Sequence, residues 1–243
     1  MLALPGFSLA EAGTNSDVLD RVKRLDWNGL EVVWLKSDRL PLYNISLYFG
    51  DGALSDGPGH YGETELMFDL LDEGTRRYSS KEISEYLEFF GVSYGTRVTH
   101  EYSTFSVSGM MKDVAPTMKM VCHLFTDATF PKKQVGKVLK RRINNLKNSI
   151  RQHGRLASRA FRELSLQNTP YSYPTGGKLK DLRHIASTEL KKKLRYFRDK
   201  VKKRIYLSGP KEILELKKVF LNECNWGKEK ADFVRSEDYE KQQ

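Results

Sequence analysis

The apolar residues change their period between residues 42 and 75, and this change constrains the fold more than any other feature of the sequence. Leu42–Phe49 alternates like a strand and is rich in residues that favour β-structure. Five glycines and a proline between residues 50 and 62 indicate a loop. From Glu63 the apolar residues recur at helical spacing, and Gly74 is predicted to end that helix. A strand, a glycine-rich loop and a buried helix therefore form the centre of the predicted fold.

The other periodic stretches place strands and helices in a mixed order. Alternating residues indicate strands, and apolar residues at helical spacing indicate helices. The predicted strands are 30–36, 92–99, 102–109 and 203–207, and the predicted helices are 16–23, 80–90, 114–125, 131–150, 156–166, 187–200 and 211–221. Because the two kinds of element do not alternate strictly, we predict an α+β domain whose largely antiparallel sheet is covered by helices.

The ends of the chain differ in composition from its middle. We divide the sequence into an N-terminal segment at 1–24, one domain at 25–226 and a polar linker or tail at 227–243. The N-terminal segment is apolar and then reads Ala10-Glu11-Ala12, which fits the cleavage site of a signal peptide that starts upstream. A charged n-region is missing, so an ordinary N-terminus is the alternative. The first interpretation predicts an exported or periplasmic protein, which we favour slightly over a cytoplasmic one.

Composition excludes several classes of protein. The 243 residues, 39% hydrophobic and 30% charged, are typical of a globular protein with a substantial core. Cys122 and Cys224 are the two cysteines, and neither belongs to a Cys-x-x-Cys pair, so a zinc knuckle or dithiol redox motif is unsupported. Cys122 lies in an apolar helical pattern that predicts a core residue. The sequence contains no run long enough to span a membrane.

Seven short segments, in order, carry a likeness to one peptidase family. They are Asn28-Gly-Leu-Glu-Val-Val33, Gly62, Glu73-Gly-Thr-Arg-Arg-Tyr-Ser-Ser80, Phe89-Phe-Gly-Val-Ser93, Thr99-His-Glu-Tyr-Ser-Thr-Phe105, Pro170-Tyr171 with Gly176-Gly177, and Tyr206-Leu-Ser-Gly-Pro210. The set resembles the N-terminal half of a pitrilysin/insulinase-type metallopeptidase, the inverzincin group that includes the mitochondrial processing peptidases. The likeness covers roughly residues 25–226.

The resemblance implies zinc-assisted peptide hydrolysis in active relatives. Two histidines in an H-x-x-E-H motif hold the zinc, the glutamate between them is the general base, and a glutamate of a later helix completes the site. The sequence comes nearest to this motif at His60, Glu63 and Thr64, where threonine replaces the second histidine. Glycines and a proline surround this match, so it lies in a sequence that forms helices poorly.

A second alignment keeps the segment free of gaps between Gly52 and Gly74-Thr75, which both match family positions. In this frame Glu65 and Asp69 occupy the histidine positions and Phe68 occupies the position of the base. We prefer this frame because the literal match needs an insertion inside the helix.

The later helix supplies no acidic ligand. Its corresponding region is 142–148, with Asn145 near the ligand position, and the sequence has no Asp or Glu between Asp127 and Glu163. We therefore predict a degenerate site at Glu65, Phe68, Asp69 and Asn145, with no catalytic residue and no bound zinc. A harder ion on Glu65 and Asp69 alone is the alternative, because carboxylates without imidazole favour such ions.

The net charge of +10 is concentrated in two stretches, the long helix near 132–162 and a run at 191–204. The first stretch could bind an acidic peptide or partner, or it could be a solvated face. Nucleic acid is a rival ligand, but no stacking-aromatic motif, helix-turn-helix or zinc finger accompanies the charge.

We predict a non-catalytic peptidase-like domain that pairs with a second such half or an active subunit and helps to hold peptide or unfolded protein. The alternatives are an active zinc metalloendopeptidase with unexpected ligands and a basic nucleic-acid-binding domain.

Overall fold

A β-hairpin begins the part of the chain that the computed structural model describes, residues 20–227. Its strands are β1 (Val22–Trp27) and β2 (Leu30–Lys36), which pair antiparallel. Asn28 and Gly29 adopt φ angles of 57° and 89°, the left-handed conformation that tight hairpin turns require. The predicted turn is confirmed, but the helix predicted at 16–23 is wrong at Val22 and Lys23, which belong to β1. Residues 16–19 lie outside the described part.

In the described part of the chain, six strands form a single sheet in the order β1-β2-β6-β3-β5-β4. The remaining strands are β3 (Leu42–Phe49), β4 (Ser93–Val98), β5 (Ser103–Met110) and β6 (Lys203–Gly209). Within residues 20–227 the neighbouring strands run antiparallel except for β2 and β6, which are parallel. The predicted α+β fold with a largely antiparallel sheet is confirmed, although β1 was not predicted as a strand.

Eight α-helices accompany this sheet in the described residues. They are α1 (Glu63–Asp69), α2 (Ser80–Phe89), α3 (Val114–Asp127), α4 (Lys132–Ile150), α5 (His153–Ser165), α6 (Leu179–Leu182), α7 (Ser187–Asp199) and α8 (Lys217–Asn222). The predicted cap of α2 is confirmed as a capping box, in which Ser79 and Glu82 bind each other's backbone N–H. The helix predicted at 211–221 divides into a 3₁₀ segment, Lys211–Leu216, and α8.

Helix α1 is shorter than predicted. It ends at Asp69, because the N–H of Leu70 already bonds to the carbonyl of Met67 in a tighter turn. Leu70 and Leu71 remain fully buried beyond the helix, so their helical spacing marks the core rather than the length of the helix. Among residues 20–227, no helix is long and apolar enough to cross a membrane.

An aromatic cluster holds α1, α3 and α7 against the sheet. The ring of Phe49, at the end of β3, lies 5.5 Å from Phe68 of α1, 5.2 Å from Phe125 of α3 and 5.9 Å from Phe197 of α7. All four rings are buried. Burying a phenylalanine stabilises a fold by about 1.5–3 kcal/mol, and aromatic pairing adds to this. The position of α1 therefore depends on Phe68.

A disulfide joins Cys122 of α3 to Cys224, which follows α8. The prediction that Cys122 is a core residue is confirmed, since both cysteines are fully buried. The pairing itself was not predicted, because 102 residues separate the two positions in the sequence. Closing so long a loop removes much of the conformational freedom of the unfolded chain.

We expect the double substitution Cys122→Ala/Cys224→Ala to lower the free energy of unfolding by about 2–4 kcal/mol, because the unfolded chain regains that freedom. Urea unfolding of the two proteins at equal concentration measures the difference. The control is a thiol titration of the unsubstituted protein after denaturation without reductant. Two free thiols in that titration would contradict the disulfide.

Candidate functional site

The loop before α1 is organised by Asp56, whose carboxylate is buried. It accepts hydrogen bonds from the backbone N–H groups of Gly62, at 3.0 Å, and Thr64, at 3.1 Å. The hydroxyl of Thr64 donates to the same carboxylate at 2.6 Å, and Lys193 of α7 lies 3.0 Å from it. A carboxylate at this end of a helix satisfies free N–H groups and is stabilised by the helix dipole.

The literal motif found in the sequence lies around this capping site. His60 is about half exposed and its Nδ1 lies 3.4 Å from the carboxylate of Glu63. Burial raises the pKa of the Glu63 carboxyl, and nearby Lys193 lowers it in part. Thr64, at the place of the second histidine, is bound to Asp56. The three residues thus form local contacts at the start of α1.

The gap-free frame leads to a different group of residues, which joins α1 to α4. The guanidinium of Arg142 donates from Nη2 to Asp69 and lies 3.1 Å from Glu65. Glu65 and Asp69 lie one helical turn apart on α1, so one side chain of α4 reaches both. The Arg142 side chain is only 14% exposed. We call Glu65, Asp69 and Arg142 the ion triad.

The ion triad does not fit the zinc site that the resemblance implies. Zinc in such sites is held by imidazole nitrogens and carboxylates. Here no histidine is present, and a guanidinium already supplies the positive charge between the two carboxylates. Within residues 20–227, no group of three or more His, Cys, Asp or Glu side chains is arranged to hold a metal ion.

The two other positions of the predicted site lie outside the triad. Phe68 is 2% exposed and belongs to the aromatic cluster, so it presents no proton acceptor. Asn145 is exposed on α4, three residues beyond Arg142. Arg142 was not singled out from the sequence. The basic character of α4 opposite two acidic residues of α1 was the signal that could have found it.

A second glycine-containing segment closes the site from the side. The backbone of Gly176 and Gly177 packs directly on the start of α1, where a Cβ added to Gly177 would lie 2.1 Å from the carbonyl oxygen of Tyr61. A Cβ on Gly176 would lie 3.5 Å from the Glu65 carboxylate. Tyr173 anchors this segment by donating its hydroxyl to the carbonyl of Ala53 at 2.7 Å. The Pro170–Gly177 segment, which resembles the peptidase family in sequence, therefore borders the ion triad.

A small cleft separates α1 from β4, which is the strand at one edge of the sheet. Its volume is about 290 Å³ and its walls include Asp69, Asp72, Tyr94 and Arg141. The hydroxyl of Tyr94 lies 2.5 Å from Asp72, and burial together with this hydrogen bond raises the pKa of Tyr94 above its ordinary value. The cleft thus carries charge and hydrogen-bonding groups on both walls.

The seven segments that resemble the peptidase family and the ion triad belong to the same domain, and a family model matches most of this domain. The model for insulinase, peptidase family M16, matches residues 32–173. The chain belongs to the M16 insulinase family of peptidases. The matched residues extend from β2 to the segment that closes the site, so they include the whole ion triad.

Three solved structures have the same architecture. A peptidase M16 inactive domain from Pseudomonas fluorescens gives a TM-score of 0.78 at 19% identity over 87% of this chain and 52% of that one. The periplasmic protease PqqL from Escherichia coli gives a TM-score of 0.76 at 15% identity, over 89% of this chain and 25% of the PqqL chain. A protease from Helicobacter pylori gives a TM-score of 0.77 at 11% identity, over 88% of this chain and 53% of the Helicobacter pylori chain.

These identities establish the fold alone. The M16 chain described here spans about half the length of the Pseudomonas fluorescens and Helicobacter pylori chains. A sequence comparison with curated proteins finds no significant match. The chemistry of the site is therefore argued from its own side chains.

Removing the cation of the triad should destabilise the fold. We expect Arg142→Met to lower the free energy of unfolding by about 1–2 kcal/mol, between the cost for an exposed pair and that for a fully buried one. Urea unfolding at neutral pH measures this cost. Arg141→Met is the matched control, because its exposed side chain forms no ion pair with the described residues. An equal loss in both variants would contradict the special role of Arg142.

Arg142 should also oppose metal binding at this position. The variant Glu65→His/Asp69→His places two imidazoles one turn apart, and adding Arg142→Ala removes the nearby positive charge. We expect the triple variant to bind Zn²⁺ about tenfold or more tightly than the double variant, because a cation a few ångströms away repels the metal. Competition with a zinc indicator dye measures both affinities. Equal affinities would show that the guanidinium does not occupy the metal position.

Proposed function

We propose that this chain is a non-catalytic M16 peptidase half that pairs with a second peptidase-like half and helps to hold a peptide. The ion triad carries the proposal. The Arg142 guanidinium bridges Glu65 and Asp69, so a positive charge lies between the two side chains at the predicted histidine positions, where it opposes a metal ion. The inactive domain named in the Pseudomonas fluorescens structure is consistent with such a role.

The position of the general base gives separate support. Hydrolysis requires a group that accepts a proton from the attacking water within hydrogen-bond reach. Phe68 has no such atom, and its ring lies 5.4 Å from Phe197 and 5.5 Å from Phe49 in the core. Restoring a glutamate there would bury a charge among aromatic rings, which is costly. In the gap-free frame, a packing group thus stands at the position of the general base.

Strand β4 supports the peptide-holding part of the proposal. It pairs with β5 on one side and forms the edge of the sheet on the other. The side chains from Ser93 to Arg97 are exposed. An edge strand offers free N–H and C=O groups that an extended peptide can pair with, largely independently of its sequence. The cleft between α1 and β4 would then receive side chains of that peptide.

Helix α5 supports the pairing part. Phe161 is 72% exposed and Leu164 is 68% exposed on this helix. Large apolar side chains exposed together mark surfaces that contact another protein. The similar Pseudomonas fluorescens and Helicobacter pylori chains are about twice as long as the matched region, so we assign this surface to a second peptidase-like half.

The proposal predicts no stoichiometric zinc and no chelator-sensitive peptide cleavage by this chain. We expect the purified chain to contain less than about one tenth of a zinc ion per molecule, because its donor set lacks imidazole. Metal analysis by mass spectrometry and a fluorogenic peptide assay with and without chelator measure the two quantities. An M16 peptidase with an intact H-x-x-E-H motif, purified identically, is the positive control.

Zinc at one ion per chain, or cleavage that a chelator abolishes, would establish an active metalloendopeptidase with unexpected ligands instead. Tight binding to generic DNA at physiological salt would favour the nucleic-acid alternative.

A further inference from the structure

A cavity beside the junction of α4 and α5 gives a second site for a ligand. Its volume is about 520 Å³, within the range of ligand pockets. Helices α4 and α5 form two walls and the segment before Gly176 forms the third. The lining side chains include Arg155, Arg159, Arg162, Ser158, Ser172 and Thr175. We call this cavity the arginine pocket.

The charge of the arginine pocket is strongly one-sided. Three guanidiniums line it, and Glu163 is the one carboxylate among its lining residues. That carboxylate binds Nε of Arg159 at 3.0 Å. Among the described residues, Arg155 and Arg162 have no ion-pair partner, and Nη1 of Arg159 is buried without a hydrogen-bond partner. Because a buried N–H without an acceptor is unfavourable, an incoming acceptor would be favoured at this point.

The chemistry of the lining suits an anion such as a carboxylate. Guanidiniums bind carboxylates through two parallel N–H···O bonds, and serine and threonine hydroxyls can add further donors. The hydroxyls of Ser149 and Ser158 already donate to the carbonyls of Leu146 and Gly154. Ser172 and Thr175 have no such bond within residues 20–227 and lie opposite α5. The pocket can therefore surround a carboxylate from two sides.

The arginine pocket adjoins the ion triad. Leu146, in its wall, lies one helical turn beyond Arg142 on α4. Thr175 precedes Gly176, which borders Glu65. A peptide in the cleft, whose wall includes Asp69 of the triad, can extend past the triad and place an acidic side chain or its terminal carboxylate in the pocket.

We infer that the arginine pocket binds a carboxylate of the held peptide, so that this chain selects acidic peptides. This inference rests on the peptide-holding role proposed above. It adds the substrate class and a site separate from β4 and from the ion triad.

The test compares peptides that differ only in charge. Fluorescence anisotropy measures binding of a labelled, unstructured, glutamate-rich peptide to the full chain, next to the same peptide with glutamine at those positions. A third peptide carries a C-terminal amide and distinguishes the terminal carboxylate from acidic side chains. We expect the acidic peptide to bind about tenfold or more tightly than the glutamine peptide, since charge-assisted bonds contribute about 1.5–3 kcal/mol.

Two matched triple variants separate the pocket from net charge. The first variant removes the cations of the pocket and carries Arg155→Gln/Arg159→Gln/Arg162→Gln. The second variant removes as much charge from exposed positions elsewhere and carries Lys191→Gln/Arg183→Gln/Arg195→Gln. We expect the first variant to lose about tenfold in affinity for the acidic peptide and the second less than about twofold. The double variant Arg155→Gln/Arg162→Gln keeps the Arg159–Glu163 pair, and it replaces the first variant if circular dichroism shows that the first is unfolded.

The outcomes distinguish the two proposals. Equal losses in the two triple variants, or equal affinity for the acidic and glutamine peptides, would overturn the arginine pocket but leave the peptide-holding role intact. Absence of binding to any of the three peptides would overturn both.

Discussion

The packing of Phe68 against Phe49 is the contact on which the candidate site depends. Phe68 belongs to a helix of seven residues, which is too short to be stable by itself. Its ring fixes the rotation of α1 about its axis, so that Glu65 and Asp69 point towards α4 while Phe68 points into the core. In the gap-free frame this position corresponds to the general base that the resemblance implies for active relatives. The side chain at that position therefore strengthens the fold and offers no proton acceptor.

The ion triad joins α1 to α4 at the place where the resemblance implies a zinc site. For active relatives the resemblance implies a metal ion between two histidines of one helix and a carboxylate of a later helix. Here the two side chains of α1 are acidic and the cation belongs to α4, where Nη2 of Arg142 donates to Asp69 and lies 3.1 Å from Glu65. The triad therefore connects the two helices through charge-assisted contacts.

The basic residues of α4 and α5 acquire distinct roles once the helices are in place. Arg142 is committed to the triad, whereas Arg155, Arg159 and Arg162 lie around a cavity with one carboxylate among its lining residues. The sequence shows one basic stretch in which all these residues are equivalent. The break at Arg151 and Gln152 turns α5 away from the line of α4 and creates the cavity between them. Charge that reads as a solvated face in the sequence thus becomes a defined pocket in the fold.

The sequence by itself determined the elements whose apolar residues have a clear period. Strands β2 and β3 have the predicted bounds, and the turn at Asn28-Gly29 and the capping box at Ser79 are confirmed. These features depend on neighbours a few residues away, which local chemistry decides. The tertiary structure alone decided that Arg142 meets Asp69, 73 residues earlier, and that Cys122 pairs with Cys224. Such contacts depend on how whole helices pack, and the packing is set by the buried rings of the core rather than by any local pattern around the residues that meet.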